Sequence, residues 1–251
     1  MPRFAANISL LFTERPFLDR IEAARAAGFE GVECLFPYDF DAHEIARALK
    51  ESALPLILFN TPPGNWEAGD RGQAALEGNT FAEALEQALD FAAILKPRHI
   101  HVMSGLAEGD AARRRLIANL RHACARAPKQ SFLIEPINPF DMPGYFLRDF
   151  ATARAVISAV AAPNLGLQFD AYHAARITGD MLACWHQHAP LARHVQVAGL
   201  PGRHEPIPSD LDYPGFFRAL DRGGYAGFVS GEYFPKEETR AGLGWLSAPA
   251  S

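Results

Sequence analysis

Three carboxylates and one carboxamide stand at the ends of short apolar runs in the second half of the chain. Glu135 closes Ser131-Phe-Leu-Ile-Glu and Asp170 closes Leu165-Gly-Leu-Gln-Phe-Asp. Gln196 sits in His194-Val-Gln-Val, and Glu232 ends Gly227-Phe-Val-Ser-Gly-Glu. Successive members are about one strand–helix unit apart. Oxygen donors at the ends of consecutive parallel strands are how an eight-stranded barrel builds an active site. An oxygen-only set suits a hard divalent cation, with Mg²⁺ or Mn²⁺ fitting best. Taken singly, a glutamate at a strand end is more often exposed or salt-bridged. One donor at the equivalent place on four consecutive strands is much harder to reach by accident.

Such a set predicts a definite chemistry. Side chains on strands five to eight span half of a barrel, so Glu135 and Glu232 face each other, with Asp170 and Gln196 between them. A divalent ion there would polarise a carbonyl and stabilise the enediolate formed when the adjacent carbon loses a proton. The two opposed carboxylates can take and return that proton. Return to the neighbouring carbon is an aldose–ketose-type isomerisation. Return to the opposite face of the same carbon is an epimerisation.

The elements that must position these residues follow from periodicity. Apolar, β-branched or aromatic runs begin near Phe4, Gly31, Pro55, His99, Phe132, Leu165, His194 and Gly227. Between them lie segments with helical spacing: Phe17 to Gly28, Phe81 to Lys96 before Pro97, and Asp110 to Arg126 before Pro128. Alternating strand and helix patterns predict a parallel sheet with helices outside, and eight repeats predict closure. An open dinucleotide-binding sheet would need a Gly-rich loop after its first strand, and Asn7-Ile-Ser-Leu-Leu-Phe-Thr has none. The fold class is therefore α/β, a single (β/α)₈ TIM barrel domain over residues 1–251 of a 251-residue chain. The connection from Asn60 to Thr80 is too long for plain linkage and follows the third strand on the catalytic side, so it is expected to form a lid or substrate wall. The tail after Trp245 is expected to fray.

Bulk properties narrow the partners. A net charge of −5 disfavours a broad nucleic-acid or anionic-membrane surface. Cys34, Cys124 and Cys184 are too scattered for a zinc knuckle or a disulfide framework, so they read as reduced thiols in a cytoplasmic protein. No apolar stretch reaches the length of a membrane span, and the start has no signal-peptide pattern. Homo-oligomer formation is open to a barrel of this size, but no interface is legible.

With those motifs in place, the chain resembles hydroxypyruvate isomerase and its relatives in the xylose-isomerase-like TIM-barrel superfamily. The resemblance covers essentially the whole chain. It rests on Phe4-Ala-Ala-Asn-Ile-Ser, Gly31-Val-Glu-Cys-Leu-Phe-Pro-Tyr-Asp, the stretch Asn60 to Gly72, and Ile134-Glu-Pro-Ile-Asn-Pro-Phe-Asp. Gln168-Phe-Asp-Ala-Tyr-His, Pro201-Gly-Arg-His-Glu-Pro and Gly231-Glu-Tyr complete it. It implies metal ligands at Glu135, Asp170, Gln196 and Glu232, with Glu135 and Glu232 doubling as acid and base. More distant sugar epimerases usually carry His where this chain has Gln196. The substrate implied is a small hydroxy-oxo acid, with hydroxypyruvate to tartronate semialdehyde first and 2-oxo-tetronate or a ketose as alternatives. Phe59, Phe234 and the loop after Glu205 depart from the pattern expected of hydroxypyruvate isomerases, which bears on substrate identity. Apurinic endonucleases share the superfamily, but they need a multi-zinc cluster with more His ligands and a basic groove. A non-catalytic metabolite-binding barrel is the remaining reading, and the opposed carboxylates argue against it.

Around this set, His173 could hydrogen-bond a substrate oxygen or a metal-bound carboxylate, or merely cap the next helix. Arg203 could hold a substrate carboxylate in a bidentate pair, or form a structural salt bridge. Glu205, Asn60 and His101 are further substrate-binding candidates, although a satisfied core histidine is an equal reading for His101. Glu33 and Asn7 could line the cup or fill a polar layer of the barrel. Trp66 could cover the ligand or anchor its own loop.

Overall fold

The computed structural model describes residues 2–247. Its eight strands are β1 (Arg3–Asn7), β2 (Gly31–Glu33), β3 (Leu58–Asn60), β4 (His99–His101), β5 (Ser131–Ile134), β6 (Leu165–Asp170), β7 (Ala192–Val197) and β8 (Phe228–Gly231). The helices are α1 (Asp19–Ala26), α2 (Ala42–Glu51), α3 (Thr80–Leu95), α4 (Gly109–Arg126), α5 (Phe150–Val160), α6 (Ala171–Thr178), α7 (Met181–His188) and α8 (Tyr213–Arg222). All strand pairs are parallel, in the order β2-β1-β8-β7-β6-β5-β4-β3. The remaining seam, β2 to β3, is closed by a bridge between Val32 and Leu56. Backbone bonds Val32 N–H to Pro55 O, Ile57 N–H to Val32 O and Cys34 N–H to Leu58 O reinforce it. The expected (β/α)₈ barrel is thus present, with an extra helix between β6 and β7.

Local sequence explains the helices. Asp41 caps α2 by accepting from His43 N–H at 2.7 Å, and Ala42, Ile45 and Leu49 recur on one buried face. Gly28 ends the α1 region with φ of +95°, a left-handed conformation that costs glycine nothing. Pro97 follows α3, whose last cap, Lys96, is left-handed.

Strand alternation separates two interiors. Phe132 and Ile134 of β5, and Val195 and Val197 of β7, join the large apolar cluster under the helices. Each such burial stabilises by ~1.5–3 kcal/mol. Their neighbours Glu135 and Gln196, one residue out of phase, face the barrel axis. At the amino-terminal end, Ala5, Ile57 and Phe228 form a separate apolar plug. Arg3 and Arg98 stack over Phe228 at 4.4 and 5.0 Å. The barrel is therefore plugged at one end and polar at the other.

The segment 61–79 between β3 and α3 is irregular but fastened. Gly72 bridges Ser104, and its N–H donates to Pro63 O. Gly72 has φ of +110°, and a Cβ there would lie 2.4 Å from Met103 Cβ. Only glycine permits that approach. The tail expected to fray begins after Trp245, which is itself buried, and residues 248–251 of that tail lie outside the described ones. The three cysteines are free and buried. Among the described residues no helix is long and apolar enough to cross a membrane.

Candidate active site

The polar end of the barrel holds a cavity of about 500 Å³. Its walls include Asn60, Trp66, Arg71, His101, Glu135, Gln168, Tyr172, His173, Arg203, Glu232 and Phe234. Asp170 and Gln196 lie directly behind, fully buried, bonded to these residues. Eight of the nine expected site residues therefore converge. Glu205 does not. Its carboxylate accepts from Lys236 N–H at 3.1 Å and packs against Gly242, away from the cavity wall. It braces the segment after β8, a role that only the turn geometry after β7 reveals.

Two glutamines tie the opposed carboxylates together. Gln168 donates through Nε2 to Glu135 Oε2 at 2.9 Å and to Gln196 Oε1 at 2.6 Å. Gln196 donates through Nε2 to Glu33 Oε1 at 2.7 Å and to Glu232 Oε2. Gln168 did not stand out in the sequence as a site residue. The signal was there in the period of two, since it precedes Asp170 by two on β6 and pairs His194 across the sheet. Glu33 belongs to the layer beneath. It accepts from Asn7 at 3.1 Å and from His194 at 2.6 Å. A buried carboxylate with this many donors is satisfied, and it fixes how Gln196 is turned.

Asp170 divides its labour between its two oxygens. Oδ1 caps α6 by accepting from His173 N–H at 3.0 Å. Oδ2 is buried with no hydrogen bond, as is Glu135 Oε1. Arg203 reaches Glu232 Oε1 at 2.8 Å and Asp170 Oδ2 at 3.5 Å. Arg203 holds this position from a left-handed backbone, with φ of +56°. Non-glycine residues pay for that conformation and keep it where the surroundings demand it.

Electrostatics follow from burial. Loss of water, then the nearby charges of Glu232 and Asp170, push Glu135 well above the carboxylate range. Burial also raises Asp170, against the pull of Arg203 and two backbone N–H groups. Glu232 rises to about 8, with desolvation outweighing Arg203. Burial lowers His101 to about 3 and holds His173 well below its ordinary value, so both rings are neutral.

Neutral His173 has a defined tautomer. Asn138 Oδ1 accepts from Phe140 N–H at 3.1 Å and Asp141 N–H at 3.0 Å, which orients its amide. Asn138 Nδ2 then donates to His173 Nδ1 at 2.7 Å. The proton of His173 is therefore on Nε2, which lies 3.8 Å from Glu135 Oε1 and 3.9 Å from Asp170 Oδ2. A hydrogen-bond donor for an oxygen placed between those acids is the result. His101 is not a satisfied core histidine. Nδ1 meets Asn60 Oδ1 at 3.1 Å, while Nε2 is buried without a partner on the cavity wall.

The residues present fit a hard cation. Donor atoms of Glu135, Asp170 and His173 lie within 4.8 Å of one another. The protonated Nε2 removes His173 from the ligand set and leaves the carboxylates of Glu135 and Asp170, each with one oxygen that makes no hydrogen bond. Glu232 is outside that group, and its Oε1 shares Arg203 Nη2 with Asp170 Oδ2. Gln196 presents its Nε2 to Glu232 and its Oε1 to Gln168, so an amide rotation would accompany its service as an oxygen ligand.

Comparison with known proteins agrees with this architecture. Residues 21–248 match the profile of the xylose isomerase-like TIM barrel family. The 2-oxo-tetronate isomerase of Cupriavidus necator is 45% identical over 254 residues, covering 98% of this chain and 98% of its own. The hydroxypyruvate isomerase of Escherichia coli is 37% identical over 254 residues, with 98% of both chains covered. The crystal structure of an AP endonuclease, family 2, from Brucella melitensis has a TM-score of 0.95 and 45% identity, and 98% of each chain is covered. A barrel with its polar residues gathered at one end, matched end to end by these relatives, belongs to the xylose isomerase-like TIM barrel family.

Proposed function

We propose that the chain is a metal-dependent isomerase that moves a carbonyl between adjacent carbons of a small hydroxy-oxo acid. The observation that carries this reading is the pair of buried carboxylates, Glu135 and Glu232, linked through Gln168 and Gln196 near acid oxygens that make no hydrogen bond. Glu135, Asp170, Gln196 and Glu232 would hold Mg²⁺ or Mn²⁺, which when bound supplies Lewis-acid polarisation of the substrate carbonyl.

The chain's own residues then move protons. Glu135 is the member of the pair with an oxygen that makes no hydrogen bond, so this residue is assigned the abstraction of the C3 proton of the substrate. Its elevated proton affinity suits a base that must hold what it takes. The electron pair moves into the C2–C3 bond, giving an enediolate, and Glu232 returns a proton to C2. The hydroxyl proton transfers from O3 to O2, leaving the carbonyl at C3. His173 Nε2–H donates to a substrate oxygen during this exchange. Glu232 holds its proton before the step, and Arg203 balances the charge on Asp170 and on Glu232 once that proton has passed to C2.

Sequence motifs placed hydroxypyruvate first. The relative with 45% identity is named for 2-oxo-tetronate, so the four-carbon acid becomes the substrate to test first. Both acids lose a proton from C3 and gain one at C2. Glu135→Gln and Glu232→Gln are each expected to lower turnover of 2-oxo-tetronate or hydroxypyruvate by at least ~100-fold while leaving the far-ultraviolet circular dichroism unchanged. Near-normal turnover in either variant would remove the two-carboxylate scheme.

The name of the Brucella structure favours a second reading, a nuclease. The cavity walls set acids opposite two arginines, one of them already paired with acids, which supports a small anion over a DNA backbone. Tight binding to an abasic duplex that weakens steeply with salt would reverse that preference.

A further inference from the structure

Among the groups lining the cavity are two guanidiniums, Arg203 and Arg71, and they are in opposite states. Arg203 is committed: Glu232 and Asp170 take its charge, and Tyr172 lies 5.3 Å from it. Its Nη2 is shared between those two acids and its Nε is buried without a hydrogen bond, so a second anion at Arg203 would sit against Glu232 and Asp170. Arg71 stands on the long segment after β3 with no carboxylate partner among the described residues. Its hydrogen bonds run from Nη1 alone, to Trp66 O at 3.0 Å and Asp70 O at 2.7 Å. Its guanidinium stacks on the Trp66 ring at 3.8 Å. Nε and Nη2 carry no hydrogen bond among the described residues.

We propose that Arg71 is the carboxylate clamp of the site, gripping the acid end of the substrate through Nε and Nη2 and so fixing which end faces Glu135 and Glu232. This deepens the isomerase reading and rests on its small oxo-acid substrate. A substrate anion entering this cup meets Glu135, Asp170 and Glu232 at its floor, so its own carboxylate must turn toward a free cation. Arg71 is that cation, and a guanidinium fork matches a carboxylate in two parallel bonds. Trp66 shields one face of the fork from water, which strengthens the pairing. The two backbone carbonyls on Nη1 hold the fork in place before substrate arrives, and the Gly72 bridge to Ser104 fastens the next residue to the barrel. Little rotamer freedom remains to be lost on binding. The same clamp separates an acid substrate from a neutral sugar of equal size.

Calorimetric titration of the Mn²⁺-loaded protein tests this with two ligands that cannot be isomerised, glycerate and its neutral amide, glyceramide. Wild type is expected to bind glycerate more tightly than glyceramide. Arg71→Gln is expected to weaken glycerate about 10- to 100-fold and leave glyceramide unchanged, with Arg71→Lys recovering part of the loss. Glycerate binding by Arg71→Gln within about twofold of wild type, or no preference for glycerate in wild type, would overturn the clamp. Failure of the isomerase reading is distinguishable: an Arg71-dependent preference for glycerate in a protein that turns over no oxo acid would retire the reaction and leave the clamp standing.

Discussion

Glu135 and Glu232 look alike in sequence and differ in what surrounds them. Both oxygens of Glu232 are engaged, by Arg203 and Gln196, whereas Glu135 has one held by Gln168 and one free. That asymmetry assigns abstraction to Glu135 and return to Glu232. The tautomer of His173 completes the assignment and is directly measurable. Nitrogen-15 NMR of the histidine rings is expected to show His173 protonated at Nε2. Replacing Asn138 with Asp exchanges the short side-chain donor at Nδ1 for a carboxylate acceptor, which outweighs the longer backbone N–H of residue 138 at 3.4 Å and moves the proton to Nδ1. Asn138→Asp should therefore lower kcat by about 10-fold or more with little change in KM. A ring already protonated at Nδ1 in wild type would sink the assignment. Asn138 was visible in the sequence only as part of Glu-Pro-Ile-Asn. Its role depends on the two backbone N–H groups that turn its amide, and no spacing rule shows those. The strand-end acids were legible because each ends an apolar run, a pattern the chain displays without folding.

At the scale of elements, the segment 61–79 is the part of the site most sensitive to backbone change. Its irregular path is held by Gly72 against Met103 and Ser104, at a φ that L side chains rarely adopt. Gly72→Ala adds a clash at 2.4 Å and strains that φ. The expected cost is ~1–3 kcal/mol, or a fall in Tm of roughly 2–10 °C, with KM raised more than kcat is lowered because Arg71 is displaced. Differential scanning calorimetry and steady-state kinetics read both effects. An unchanged Tm and KM would mean that the bridge does not hold the wall. The length of this segment already marked it as a substrate wall. Glu205 shows the converse: it follows Arg203 by two residues in the same motif, yet the turn after β7 sends one side chain into the cup and the other under the segment after β8.

For the whole molecule, gathering acids at one end of a plugged barrel links stability to protons and metal. Glu232 is raised from 4.5 to about 8 in the fold. A raised carboxylate stabilises fully below its unfolded value, and that contribution is lost as pH rises through the folded value. His101, lowered from 6.5 to about 3, acts oppositely, and its contribution is lost as pH falls below 6.5. Between pH 6.5 and 8 the acids therefore govern the slope. In EDTA, Tm is expected to fall across that window. Added Mn²⁺ should raise Tm more at pH 8 than at pH 6.5, because the cation replaces the protons that the acids would otherwise need. An EDTA profile that is flat or rises, with no metal effect, would mean that the acids do not share a cation. Barrel closure was legible from eight repeats, whereas the buried Glu33–His194 layer beneath the site depends on cross-strand register.

The most direct test of the central claim is proton NMR in D₂O with 2-oxo-tetronate and hydroxypyruvate offered separately, first with Mg²⁺ or Mn²⁺ and then with EDTA. Deuterium incorporated at C2 of the product from at least one acid, only when metal is present, is the expected result. Folded, metal-loaded protein that exchanges no proton and forms no product from either acid would contradict the proposed reaction.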